Sequence, residues 1–177
     1  HRRVPRPQSL CLPGNMTGRG LIFRQDMYGG PMVHVEKSVD IAVRPETAFD
    51  FMDDAGHQAE ISPSLSEVFD VDRAATGGVT AGFVYKMAGV PLRGEVEAVE
   101  FVRPERIVFD MRGPLDGRIW FLFAPVGEGV RVTYGADYEI PGAALERLTR
   151  PLLVAYNERE LSATLANLKD RLEAGAA

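Results

Sequence analysis

The sequence predicts an α+β fold, with a curved seven-stranded antiparallel sheet wrapped around a long C-terminal helix and two short helices after the first strand. Three observations predict it. Between residues 33 and 140, apolar side chains recur at every second position in seven separate segments. Short Gly/Pro turns join the last six, the pattern of an antiparallel meander. From Ala143 to Glu173 the apolar spacing changes to three and four, as on one face of a helix. A sheet with one apolar face must cover it. Only that segment, roughly thirty residues rising about 1.5 Å each, is long enough to do so.

Val33, Val35, Val39, Ile41 and Val43 alternate with polar residues and give a first strand over 33–43. Pro45 ends it and opens a helix over Pro45–Met52, because proline is tolerated in a first helical turn. Glu46 follows, and Ala48, Phe49 and Met52 share a face. A second short helix spans Gly56–Ile61 and stops at Ser62-Pro63. Strands follow at 68–73, 80–87, 92–102, 107–112, 118–124 and 130–140. In the long helix the stripe is Leu153, Leu161, Thr164, Leu165, Leu168 and Leu172, while Leu145, Leu148 and Leu152 lie on another face. Pro151 between the two sets predicts a kink or a break.

The chain has 177 residues, 45% hydrophobic and 25% charged, a globular composition that excludes collagen, coiled coil and wholesale disorder. The net charge of −5 hides a split, since residues 1–31 carry five arginines against Asp26 alone. This Arg/Pro/Gly-rich leader reads as disordered or as a mis-assigned start, with Met32 as the true initiator. Residues 32–177 then form one ligand-binding domain. Its acidic balance argues against a nucleic-acid partner. Cys11 is the only cysteine, so no intramolecular disulfide is available. No apolar run approaches the ~20 residues of a membrane helix, nor the length of a secretory core. A cytoplasmic protein without stable membrane insertion is expected, and a homodimer is left open.

A curved sheet gripping one helix leaves space between them, and such a cavity suits an apolar small molecule. The residues expected to line it are Phe49, Ile61, Phe83, Tyr85, Phe109, Met111, Tyr134, Tyr138, Leu153, Asn157 and Glu160. Asn157 interrupts the apolar stripe, so it either bonds a cavity-facing tyrosine or meets a ligand's polar end. The tyrosines either donate to a ligand carbonyl or satisfy one another. His34 and His57 fit no zinc-binding spacing, and neither a metal nor a cofactor is expected. His57 lies near the expected cavity mouth as a ligand contact, a surface residue or a cap. Asp53-Asp54 reads as a solvated loop at a helix end. Trp120 alternates with Ile119 and Phe121, which turns it outward toward a partner or a membrane surface.

Two segments carry a resemblance. They are Val39-Asp40-Ile41-Ala42-Val43-Arg44-Pro45-Glu46-Thr47-Ala48-Phe49-Asp50-Phe51-Met52 and Gly127-Glu128-Gly129-Val130-Arg131-Val132-Thr133, followed by the Leu-rich terminal helix. Over about residues 33–174 the chain resembles the SRPBCC superfamily, the START/birch-pollen-allergen-like helix-grip proteins. More narrowly it is similar to the polyketide cyclase/dehydrase-like and coenzyme-Q-binding branches. The resemblance implies a hydrophobic cavity that binds or transports a lipid, an isoprenoid quinone or a polyketide-like molecule. The alternative it implies is a polyketide cyclase, aromatase or dehydratase, with Glu160, His57 or a tyrosine moving protons. No catalytic pair stands out, so the reading leans toward a binder. Members often carry Trp near Glu60-Ile61; its absence here implies a differently packed cavity mouth. An interaction domain with a filled core is a third reading, and it would have no cavity.

Overall fold

Alternation over short segments becomes one sheet because each strand needs only its sequence neighbour, except at a single seam. The computed structural model describes residues 32–75, 77–139 and 150–175. Seven strands are present: β1 (Met32–Ile41), β2 (Leu65–Arg73), β3 (Val79–Met87), β4 (Val90–Val102), β5 (Arg106–Arg112), β6 (Gly117–Val126) and β7 (Gly129–Glu139). All pair antiparallel in the order β1-β7-β6-β5-β4-β3-β2. After β1 the chain crosses to the far edge through α1 (Pro45–Met52) and α2 (Ala55–Ile61), then meanders back until β7 pairs with β1. Helix α3 (Arg150–Gly175) lies across the apolar face, against β1 and β7.

Local chemistry sets the boundaries. Pro45 begins α1 and Glu46 sits in its first turn, where the helix dipole favours an acid. The two adjacent acids that follow divide their work between two helices. Asp53 closes α1 and pairs with Arg73 at 2.6 Å, while Asp54 caps α2 by accepting from the Gly56 and His57 N–H groups. Asp53-Asp54 is therefore a capped and ion-paired junction rather than a solvated loop. β2 begins at Leu65, earlier than its alternation suggests, because register shifts on either side of Glu67–Phe69 disturb the two-residue period.

Helix α3 buries Leu153, Leu161, Thr164, Leu165, Leu168 and Leu172 along one face. Leu165, Leu168 and Leu172 join a solid core with Ile41, Phe49, Met52, Val130 and Val132. Leu153 and Leu161 belong to a second cluster with Val33, Val35, Met87 and Tyr138. Pro151 is the second described residue of α3, and the residues that precede Arg150 lie outside the described ones. Leu152 is exposed, as its offset from the stripe requires. Residues 1–31, Ile140, Leu145 and Leu148, and with them the expected leader and the upstream helical segment, lie outside the described residues. No described helix is long and apolar enough to cross a membrane.

Trp120 corrects an expectation. Its side chain points to the convex face but is only 3% exposed. Register places Val108, Trp120, Gly135 and Glu36 in one row across four strands. The indole lies on Gly135, where an added Cβ would sit 2.3 Å from the ring. Its N–H donates to Glu36 at 3.1 Å, and His34 stacks on it at 5.9 Å. A glycine beneath the indole and a cross-strand carboxylate beside it contribute to its burial.

Candidate functional site

The two core clusters do not meet everywhere. Between the concave face of the sheet, α2 and the middle of α3 lies a cavity of about 100 Å³, measured for the centre of a water-sized sphere. That is on the order of seven to ten times the least volume that holds one water. Alternate residues of adjacent strands form its floor, because inward positions fall in register. Phe109, Ile119, Ala136 and Val35 make one such row. Among the described residues, twenty-six line the cavity and none of these carries a formal charge.

Of the residues expected there, Ile61, Phe83, Tyr85, Phe109, Met111, Tyr134, Tyr138 and Asn157 line the wall. Phe49, Leu153 and Glu160 do not. Phe49 is completely buried in the neighbouring solid core, edge-on to Phe101 at 5.1 Å and tilted against Phe123 at 5.3 Å. Leu153 packs in the second core cluster, and Glu160 accepts a hydrogen bond from Ser64, which does not itself line the cavity. His57 does not line the cavity either. Its ring stacks on Phe51 at 4.4 Å and its Nδ1 lies 3.3 Å from the Phe51 carbonyl.

The polar groups gather at one side. Asn157 donates to the Tyr138 hydroxyl and, at 2.7 Å, to the Leu153 carbonyl, which accounts for a buried amide in an apolar stripe. Ser64 is buried between the end of α2 and β2. Its hydroxyl donates to the Glu160 carboxylate and lies 2.8 Å from the Tyr156 hydroxyl, which donates to the Lys86 carbonyl at 2.9 Å. Asn167 adds a bond to the Ile61 carbonyl at 2.8 Å. These bonds fasten the α2–β2 segment to α3 beside the cavity. Sequence patterning missed Ser64 and Tyr156, since a serine after Ser62-Pro63 reads as a turn and its partner is 92 residues away. Val35, Met87 and Phe121 also line the wall unforeseen, although their alternation had placed them on the right face.

Replacing Ser64 by alanine leaves the Glu160 carboxylate and the Tyr156 hydroxyl without this partner. A loss of about 1–3 kcal/mol is expected in denaturant unfolding.

Burial dominates the electrostatics of the wall. It pushes the Tyr134 hydroxyl up to about 12, with a further push from the Glu160 carboxylate. Tyr85 and Tyr138 are raised too, chiefly by burial and then by Tyr134; hydrogen bonds from Ser64 and Asn157 respectively act the other way. All three phenols therefore remain neutral donors at physiological pH. The folded state keeps its Tyr134 proton longer than the unfolded chain, whose phenol titrates near 10.0. Stability is therefore intact below pH 10 and falls as pH rises toward 12, by up to about 1.4 kcal/mol per pH unit for each such tyrosine. Unfolding monitored by circular dichroism, alongside tyrosinate absorbance, checks this.

Comparisons with known proteins agree with this arrangement. The chain is similar in fold to TTHA0849 from Thermus thermophilus, with a TM-score of 0.70 at 21% identity over 83% of this chain and 100% of that one. It is also similar to the Zhui aromatase/cyclase from Streptomyces sp. R1128, with a TM-score of 0.68 at 16% identity over 83% and 97%. A START superfamily protein from Mycobacterium smegmatis gives 0.66 at 16% identity over 79% and 97%. No curated protein matches the sequence. A family model described as polyketide cyclase/dehydrase and lipid transport matches residues 32–173. A sheet gripping a terminal helix around an apolar cavity, and a family match over nearly all of that unit, together establish that the chain belongs to the polyketide cyclase/dehydrase and lipid transport family, a helix-grip branch of the SRPBCC superfamily.

Proposed function

We propose that this protein binds or carries a small hydrophobic molecule in the cavity between sheet and α3. The observation that carries the reading is the wall itself, which among the described residues is largely apolar and uncharged around a space of about 100 Å³. Burying a ligand there gains roughly 25 cal/mol per Å² of apolar area before ordering costs. The tyrosine hydroxyls and Asn157 supply the few polar groups that fix orientation. Among the residues expected from sequence, the eight that line the wall are the proposed ligand contacts.

The second reading, a cyclase, aromatase or dehydratase, draws support from the family description and from the Ser64–Glu160 pair beside the wall. Proton transfer at neutral pH is served best by a group that titrates near it. The tyrosines titrate far above that range, and Glu160 does not line the wall. These features favour the binder. The partner in this reading is an apolar small molecule in the cytoplasm, with no role for nucleic acid. Native mass spectrometry of the protein incubated with naphthalene, acetylnaphthalene and dodecanol is expected to show one molecule retained per chain. Retention of none of them overturns the reading. Turnover of a poly-β-ketone that is lost in Glu160→Gln establishes the enzyme instead.

A further inference from the structure

The polar side of the cavity distinguishes among hydrophobic ligands. Tyr134 is deep in the protein, yet it keeps accessible surface because it faces the cavity. Phe121 holds its ring at 4.5 Å, so the direction of the phenol is fixed. Asn157 donates to the Tyr138 hydroxyl, whereas among the described residues no hydrogen bond satisfies the Tyr134 hydroxyl. A neutral phenol in an apolar wall lacks a partner that a ligand's oxygen can supply.

Charge narrows the choice further. Among the described residues, none that lines the cavity is a cation. Lys37 is the register partner of Tyr134 on β1, but its ammonium extends toward Glu158 on α3 at 3.9 Å. The Glu160 carboxylate acts on Tyr85 and Tyr134 alike, so the local field is negative where a ligand's polar end would rest. An anion entering this site loses its hydration, finds no counter-charge among the described residues and meets a carboxylate. Size adds the last restriction. At about 100 Å³ the cavity is of the order of the ~150 Å³ apolar cavity that takes a single benzene in another protein. A long acyl or isoprenoid chain would extend well outside it.

We infer that the cavity selects an uncharged aromatic molecule, enclosing one ring and a carbonyl or similar acceptor that is received by the Tyr134 hydroxyl, and that it rejects carboxylates and long chains. This rests on the small-molecule-binding reading above but can fail separately from it.

Calorimetric titration with naphthalene, its acetyl derivative, its carboxylate and dodecanol tests the inference. In the wild-type protein at neutral pH the ketone is expected to bind best, and the carboxylate at least about 30-fold more weakly. Tyr134→Phe should weaken the ketone by about 3- to 10-fold and leave naphthalene within about twofold. Naphthalene thereby serves as the internal check that the variant is folded. Glu160→Gln keeps an acceptor for Ser64 and should narrow the ketone-to-carboxylate gap at least about threefold. Carboxylate binding as tight as the ketone's, or a ketone-to-naphthalene ratio unchanged by Tyr134→Phe, overturns the inference. Tighter binding of dodecanol than of any ring compound overturns it too, while leaving the small-molecule reading intact. Failure of all four to bind overturns both.

Discussion

Phe49→Ala is expected to destabilise the protein by about 3–5 kcal/mol, the largest single-residue effect on folding that the structure implies. The ring is completely buried at the junction of α1 with β6 and β4, against Phe123 and Phe101. Its neighbours Ile41, Met52, Val130 and Val132 are themselves wholly or almost wholly buried, so little can collapse into the gap. Denaturant unfolding gives the value. Because Phe49 does not line the cavity, the fraction that remains folded should bind an apolar ligand with wild-type affinity. A Phe49→Ala protein of wild-type stability would show that the packing around α1 is not as described.

Ala136→Phe is expected to have the largest effect on binding. Ala136 is an inward residue of β7, paired with Val35 on one side and Ile119 on the other, and all three line the cavity. A phenyl ring grown from its Cβ occupies the space a ligand would take, without adding a polar atom. Affinity for acetylnaphthalene should fall on the order of 100-fold, with overpacking costing at most about 1–3 kcal/mol and partly offset by the filled void. Calorimetry and denaturant unfolding on the same preparation separate the two effects. A bound ligand with undiminished affinity would place the binding site elsewhere on the molecule.

Much of this arrangement is legible in the residues. Period-two alternation locates all seven strands, and it puts Phe83, Tyr85, Phe109, Tyr134 and Tyr138 on one face, where they line the cavity. The i, i+3, i+4 stripe of α3 is buried as its spacing requires, and the amide within it meets a cavity-facing tyrosine. What alternation cannot convey is how far from the floor a given inward residue stands. Phe49 and Ile61 both face inward from short helices, yet only Ile61 reaches the cavity, which α1 touches only at its last residue, Met52. Nor does it show what covers the convex face. Trp120 reads as exposed from its parity, but a glycine opposite it and a glutamate one strand further make a pocket that only strand register reveals. Ser64 is invisible for a related reason, since its partners arrive from a helix 92 and 96 residues later.

The claim that ties sequence, fold and function together is that the space between sheet and helix holds one small uncharged apolar molecule. Native mass spectrometry of the wild-type protein with acetylnaphthalene, repeated with Ala136→Phe, tests it most directly. One added ligand mass per chain in the wild type, absent from the variant, is the predicted result. No adduct in either protein, or an equal adduct in both, would contradict it.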